Sequence, residues 1–127
     1  MRIYLACPYS NADPAIEAAR FDAANLAAGR LMKHGDLVFS PISHSHPIHL
    51  AHELPGDFAF WQAFDEWQIG ACEAVVVLMI DGWRESKGIK AEVALARSQG
   101  KNVWGMTEDG EVVPLPDPQA AHVAGEP

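Results

Sequence analysis

Positive charge is scarce in this chain: nine Lys and Arg stand against seventeen Asp and Glu in 127 residues, a formal charge of −8. Affinity for a nucleic-acid backbone or an anionic membrane depends on clustered basic side chains. Neither is therefore expected as the main partner, whereas a small phosphorylated ligand needs only a few local donors. Long apolar runs are missing as well. None approaches the roughly 20 residues of a membrane span, and Met1-Arg2-Ile3-Tyr4-Leu5-Ala6 enters a strand-like run without a signal-peptide layout. Cysteine is limited to Cys7 and Cys72, which make no disulfide framework. Cys7 ends one predicted strand and Cys72 precedes another, so no bridge between them is expected. These features predict a soluble, cytoplasmic protein of one domain. A chain this long buries roughly two-thirds of its unfolded surface, enough for a core without staples.

Apolar runs and breakers divide the chain into alternating elements. Ile3 to Ala6 reads as a buried first strand ended by Cys7-Pro8. Asp13-Pro14 starts a helix, with Asp as N-cap and Pro at the first helical position, and His34-Gly35 closes it. Leu37 to Phe39 is a second short strand. Between 42 and 57, histidines, prolines and Gly56 break any period and predict an irregular excursion with about one helical turn. An aromatic helix follows from Phe58 to Ile69. Ala74 to Ile80 is apolar without alternation, as a central strand of a parallel sheet is. Ser86 caps a third helix with Ile89, Val93 and Ala96 on its buried stripe, and Asn102 to Gly105 is a fourth strand. Val112-Val113 is a candidate fifth, edge strand. Residues 116–127 read as a flexible Pro-rich tail, which leaves one domain over 1–115.

Strands alternating with helices predict an α/β fold, a flavodoxin/Rossmann-like three-layer sandwich around a parallel sheet of four or five strands in the order 2-1-3-4(-5). Such sheets bind ligands beyond the carboxyl ends of their strands, where the strand order reverses. Here that point lies between strands one and three, so the loops Cys7–Ser10 and Asp81–Gly88 should meet at the site.

The chemistry available there is specific. Ser86 at a helix start and Gly88 just after it leave backbone N–H groups at the positive end of a helix dipole, an arrangement that binds phosphate. Arg84 and Lys87 add local positive charge. Glu92 borders the apolar stripe, and its i±3 and i±4 neighbours Gly88, Ile89, Leu95 and Ala96 offer no ion pair. A carboxylate unpaired in this way near a crevice is a candidate nucleophile or general base. The plain alternatives are an ordinary serine cap and a glutamate reaching solvent. Asp65 in the aromatic helix has a solvated face as its alternative. Tyr9 and Ser10, just past strand one, are candidate hydrogen-bond donors to a sugar, or a simple turn.

Tyr4-Leu5-Ala6-Cys7-Pro8-Tyr9-Ser10 resembles the opening strand and loop of the nucleoside 2-deoxyribosyltransferase-like superfamily. Ser86-x-Gly88-x-x-x-Glu92, followed by Val93-Ala94-Leu95-Ala96 and Gly100-Lys101, resembles that superfamily's signature helix. Asp65 is similar to the aspartate that precedes strand three. The resemblance spans roughly residues 2–105, and is greatest to a small bacterial and phage branch with Gly-Trp-Arg-x-Ser-x-Gly before the glutamate. It implies that Glu92 attacks the anomeric carbon to form a glycosyl-enzyme and that Asp65 assists with protons. It implies phosphate binding at Ser86 and Gly88, as in the branch that cleaves nucleoside 5′-monophosphates; the transferase branch typically has aspartate at the place of Ser86. Cys7 is a departure, since many members carry glycine there, and a side chain at that position narrows the pocket floor.

His44, His46, His49 and His52 fall within nine residues, a density that raises the question of a metal. Their spacing does not match the His-Glu-x-x-His pattern and no cysteine is near. On the resemblance, the excursion closes over the crevice and His44 or His46 contacts the base; the plain alternative is polar loop histidines packed against the aromatic helix. The expected function is an N-glycosidase acting on a small nucleotide or nucleoside, with no metal and no organic cofactor, assembled as a homodimer or homotetramer. A nucleotide-binding or sensing module without turnover, a deoxyribosyltransferase and a histidine-based metallohydrolase are the alternatives.

Overall fold

The computed structural model describes residues 1–54 and 58–116. Five strands form one sheet: β1 (Arg2–Ala6), β2 (Leu37–Phe39), β3 (Ala74–Leu78), β4 (Asn102–Met106) and β5 (Val112–Pro114), in the order β2-β1-β3-β4-β5. The first four run parallel, and β5 pairs antiparallel with β4, placing Gly105 opposite Val113. The sheet is therefore mixed, not purely parallel. The reason is local. β4 reaches β5 through a tight turn in which Gly110 N donates to Thr107 O and Thr107 N to Glu111 O, too short for the crossover that a parallel return requires.

Helices cover both faces. The odd-numbered side chains Ile3 and Leu5 of β1 meet Ala24, Ala27, Ala28 and Leu31 of α1 (Pro14–Lys33). The even-numbered Tyr4 and Ala6 meet Ile69 of α3 (Phe58–Ala71) and Ile89, Val93 and Ala96 of α4 (Lys87–Ser98). Small alanines let α1 lie close to the sheet. β3, buried along all five residues, fills the centre as a doubly covered strand should. Both cysteines are buried and free.

The excursion expected over 42–57 is largely a helix, α2 (Pro41–His52), with residues 55–57 outside the described range. Pro41 stands at its first turn, where a missing N–H costs nothing. Pro47 lies inside it and forfeits one backbone hydrogen bond. Tertiary contacts offset that loss. Ser43 donates to Asn25 Oδ1 at 2.5 Å, and the His46 ring packs on Phe21 with centroids 4.5 Å apart, both fastening α2 to α1. Residues of the Pro-rich tail beyond Pro116 lie outside the described range.

Lys101, just before β4, turns its ammonium back onto the last turn of α3 and donates to the carbonyls of Ile69 (2.5 Å) and Gly70 (2.8 Å). These are carbonyls at the negative end of a helix dipole, so a cation there both satisfies and complements them. Lys101→Met is expected to cost about 1 kcal/mol or more, read in thermal unfolding as a Tm lower by roughly 3–5 °C or more.

Candidate functional site

β1 and β3 send their chains to opposite faces of the sheet, and beyond their C-terminal ends lies a cavity of about 650 Å³. Its walls come from the loop after β1, the end of β2, α2, α3 and the segment 82–88 that leads into α4. The two loops expected to meet do so through a side chain the sequence did not single out. Arg20 of α1 donates to the carbonyls of Tyr9 and Ser10 from Nη1 (3.2 Å each) and to Asp81 from Nη2 (3.3 Å). Gly82 leaves room for this guanidinium: its φ is 93°, and a Cβ there would run into Arg20 Nη2. A basic residue in the second turn of a helix gives no sequence signal for such a role, because the carbonyls it serves lie as far as 61 positions away.

Glu92 and Asp65 both line the cavity. Glu92 is buried, and it accepts a hydrogen bond from the Tyr4 hydroxyl. Tyr4 arrives from the sheet side, its ring wholly covered, and its hydroxyl lies near enough to Asp65 for each to influence the other's titration. The three groups form a polar knot between β1, α3 and α4. Burial pushes the Glu92 carboxyl up to about 8, partly countered by the Tyr4 hydrogen bond and reinforced by the nearby Asp65 charge. Burial likewise pushes Asp65 up to about 6, with the Tyr4 hydrogen bond opposing it. Tyr4 itself is pushed far above its ordinary value by burial and by the two carboxyls, so it remains a donor. Tyr4 is the second residue missed from the sequence. The available signal was a phenol inside an otherwise apolar strand, since a buried tyrosine hydroxyl usually finds a partner.

Ser86 caps α4, its Oγ accepting from Ile89 N at 3.1 Å. The N–H groups of Lys87 and Gly88 have no acceptor among the described residues, and Ser86, Lys87 and Gly88 all line the cavity. The hydroxyl proton of Ser86 is left free to donate to a ligand while its oxygen holds the helix. Arg84 does not line the cavity. Its guanidinium lies 4.8 Å over the buried Trp83 ring, held there by cation–π attraction. Lys87 and Arg20 are the basic residues of the lining.

Tyr9 and Ser10 line the cavity as expected, and so does His44, beside Phe39 with ring centroids 5.9 Å apart. His46 does not. It is buried behind the wall, with Nδ1 2.5 Å from the Tyr9 hydroxyl, because its place on α2 turns it toward α1 and Phe21. His49, which the sequence left unassigned, is on the lining, whereas His52 is exposed. The helix thus disperses the four histidines, and among the described residues no three His, Cys, Asp or Glu side chains converge where a metal ion could be held. Cys7 does form part of the cavity wall. Burial pushes its thiol up to about 12, against the pull of Arg20, so it is a neutral surface and not a nucleophile at ordinary pH.

The Glu92 shift has a consequence for folding. Its carboxyl binds a proton more tightly folded than unfolded, so stability is greatest below the unfolded value near 4.5 and falls as pH rises toward about 8. Glu92→Gln keeps the acceptor for Tyr4 and removes the charge. It is expected to raise Tm at pH 9, by about 2 kcal/mol or more in stability, and to change it little at pH 5. Calorimetric unfolding of both proteins at the two pH values measures this; an equal Tm at pH 9 would contradict the burial of an ionising group at this position.

A comparison with known proteins bears on the same region. No match was found among the curated proteins. At the level of families, a match spans residues 1–108 and so takes in every element from β1 to β4 and the whole cavity lining. The chain belongs to the family described as Domain of unknown function (DUF1937).

Proposed function

We propose that the protein is an N-glycosidase that cleaves the base from a small nucleotide through a covalent intermediate on Glu92. The observation that carries this reading is the pairing of two carboxyls, Glu92 and Asp65, around the Tyr4 hydroxyl, in one cavity with the open N-terminus of α4. A carboxylate beside C1′ stabilises the positive charge that builds on the sugar ring as the base departs. Glu92 forms a bond to C1′ as the bond to the base breaks, and the electron pair leaves with the base. Water then attacks C1′ from the face the base has vacated, Asp65 accepts its proton, and Glu92 is released with overall retention. Tyr4 fixes the attacking oxygen by hydrogen bonding to the carboxyl. Ser86, Lys87 and Gly88 supply the donors for a 5′-phosphate, and Tyr9 and Ser10 lie where a sugar hydroxyl can be bound. No step requires a metal or an organic cofactor. The exposed Phe64 and Trp67 on α3 support association with a second copy of the chain, the homodimer or homotetramer expected from the sequence. A cytoplasmic setting suits a nucleotide substrate.

A second reading draws on the same carboxyl. With Glu92 pushed up to about 8, the empty site at neutral pH holds mostly the protonated acid, which donates hydrogen bonds and does not attack carbon. A nucleotide-binding or sensing module without turnover would use it in that form.

The two readings part on one assay. A panel of nucleosides and monophosphates is incubated with the protein between pH 6 and 9, and free base is measured. The glycosidase reading requires base release with kcat/KM rising through about pH 8, as Glu92 ionises in the free protein. Glu92→Gln should lower that release at least about a hundredfold. Tight binding with no base released at any pH would favour the sensing module.

Phosphate recognition is tested separately. A monophosphate should be preferred over its nucleoside by at least about tenfold, or 1.4 kcal/mol. Ser86→Asp keeps a good N-cap but sets a negative charge against the phosphate. It should abolish the preference with little change in Tm, whereas equal turnover of both substrates by the unaltered protein, unaffected by Ser86→Asp, would reduce Ser86 to a helix cap.

A further inference from the structure

The ladder that joins β1 to β3 ends at the pair Ala6–Val77. Beyond it the two chains part, the first turning toward α1 on one face of the sheet and the second toward α4 on the other. The crevice of such a sheet opens between chains that diverge in this way, and the strands themselves no longer fix its width. Yet the residues placed for a sugar, Tyr9 and Ser10, stand on one bank, and those placed for a phosphate, Ser86 to Gly88, on the other. A ligand that joins both groups covalently needs the two banks at one separation.

The Arg20 side chain spans the gap. Its guanidinium donates to the carbonyls of Tyr9 and Ser10 on the first bank and of Asp81 on the second. Among the described residues its charge has no carboxylate partner, since the ion pairs there are Met1 with Asp36 and Arg2 with Glu73. In a chain with seventeen acidic residues, a cation directed instead to three neutral carbonyls is placed for its shape. The flat fork of a guanidinium serves acceptors that lie in different directions, where an ammonium is a compact point charge. Gly82 completes the device. With a φ of 93° and no Cβ, it lets the second bank pass directly against Nη2.

We infer that Arg20 is a positioning residue: it fixes the distance between the loop after β1 and the segment before α4, so that the sugar and the phosphate of one ligand are read together. This rests on the nucleotide reading of the cavity and deepens it, since the donors on each bank account for the two ends of the ligand but not for their spacing. Arg20 acts through the backbone of the two loops, not on the reacting atoms.

Two substitutions attack the same contact from opposite sides. Arg20→Lys keeps the charge beside the cavity and loses the fork. Gly82→Asn keeps Arg20 and sets a Cβ against its Nη2, asparagine being among the side chains that best bear a positive φ. Crystal structures of the unaltered protein and of both variants are solved, and binding of ribose 5-phosphate and of the nucleoside 5′-monophosphates is measured by titration calorimetry. In each variant the separation of Ser10 from Gly82 should change by about 1 Å or more. Ribose 5-phosphate and the monophosphate bound best by the unaltered protein should each lose about tenfold or more in affinity. With both substitutions present, the loss should stay within about twofold of the larger single loss, because the two act on one contact. Unchanged affinity in Arg20→Lys overturns the inference. So does a loss of affinity with the loops unmoved, which would make Arg20 a direct ligand of the anion, and so do losses that multiply in the double variant. Should Arg20→Lys fail to fold, Gly82→Asn carries the same test. If the unaltered protein binds neither ribose 5-phosphate nor any monophosphate, the nucleotide reading itself fails and this inference with it. If it binds them and the variants bind them equally well, that reading stands and this inference alone falls.

Discussion

The hydroxyl of Tyr4 meets the Glu92 carboxyl in the middle of an apolar interface between the sheet and α4. Two polar groups withdrawn from water at that depth are tolerable only if each satisfies the other, and removing one partner alone leaves an orphan. The constraint reaches outward. β1 must stay in register with β3, Tyr4 opposite Val75, for the phenol to arrive at the right height. α4 must start at Ser86 for Glu92 to lie on its inner face beside Val93 and Ala96. α3 must lie alongside to bring in Asp65. The wholly apolar β3 beside β1 leaves the Tyr4 hydroxyl no partner within the sheet, so its partner has to come from the helices.

Much of this was legible in the sequence, and what was not has physical causes. The order of strands followed from the uninterrupted apolar run at Ala74–Leu78, which only a central, doubly covered strand explains. The limits of α1 followed from Asp13, whose side chain does accept from Ala15 N at 2.9 Å, and from the left-handed Gly35. α2 was hidden because its local signals oppose a helix. Pro47 removes a backbone bond, and what restores the balance is packing on Asn25 and Phe21 of another element. Long-range pairings were equally hidden. Arg84 looked like a phosphate ligand by proximity in sequence to Ser86, yet the Trp83 ring beside it offers a competing seat, and the guanidinium takes that one. Arg20 and Tyr4, by contrast, act across the fold, where no spacing rule reaches.

The acidity of the chain acquires meaning beside this cavity. Its wall carries Arg20 and Lys87 along with the carboxyls Asp65, Glu85 and Glu92, so positive potential is local, set against a formal charge of −8 for the whole protein. Basic and acidic groups offset one another along this wall, so a small anion entering it would be held by the donors it touches directly. The orientation of free N–H groups at Lys87 and Gly88 therefore matters more than net charge.

The Tyr9–His46 contact ties the loop after β1 to α2, and Arg20 ties the same loop to the segment before α4. Three walls are thus gauged against one another before anything enters. A guest need not spend association energy on drawing those walls together, and a guest of the wrong breadth cannot recruit their movement to make itself fit. Selection in such a chamber works by clearance, as a fixed jaw sorts bolts, so the bulk of Tyr9 and His46 helps to set the breadth of guest that the cavity admits.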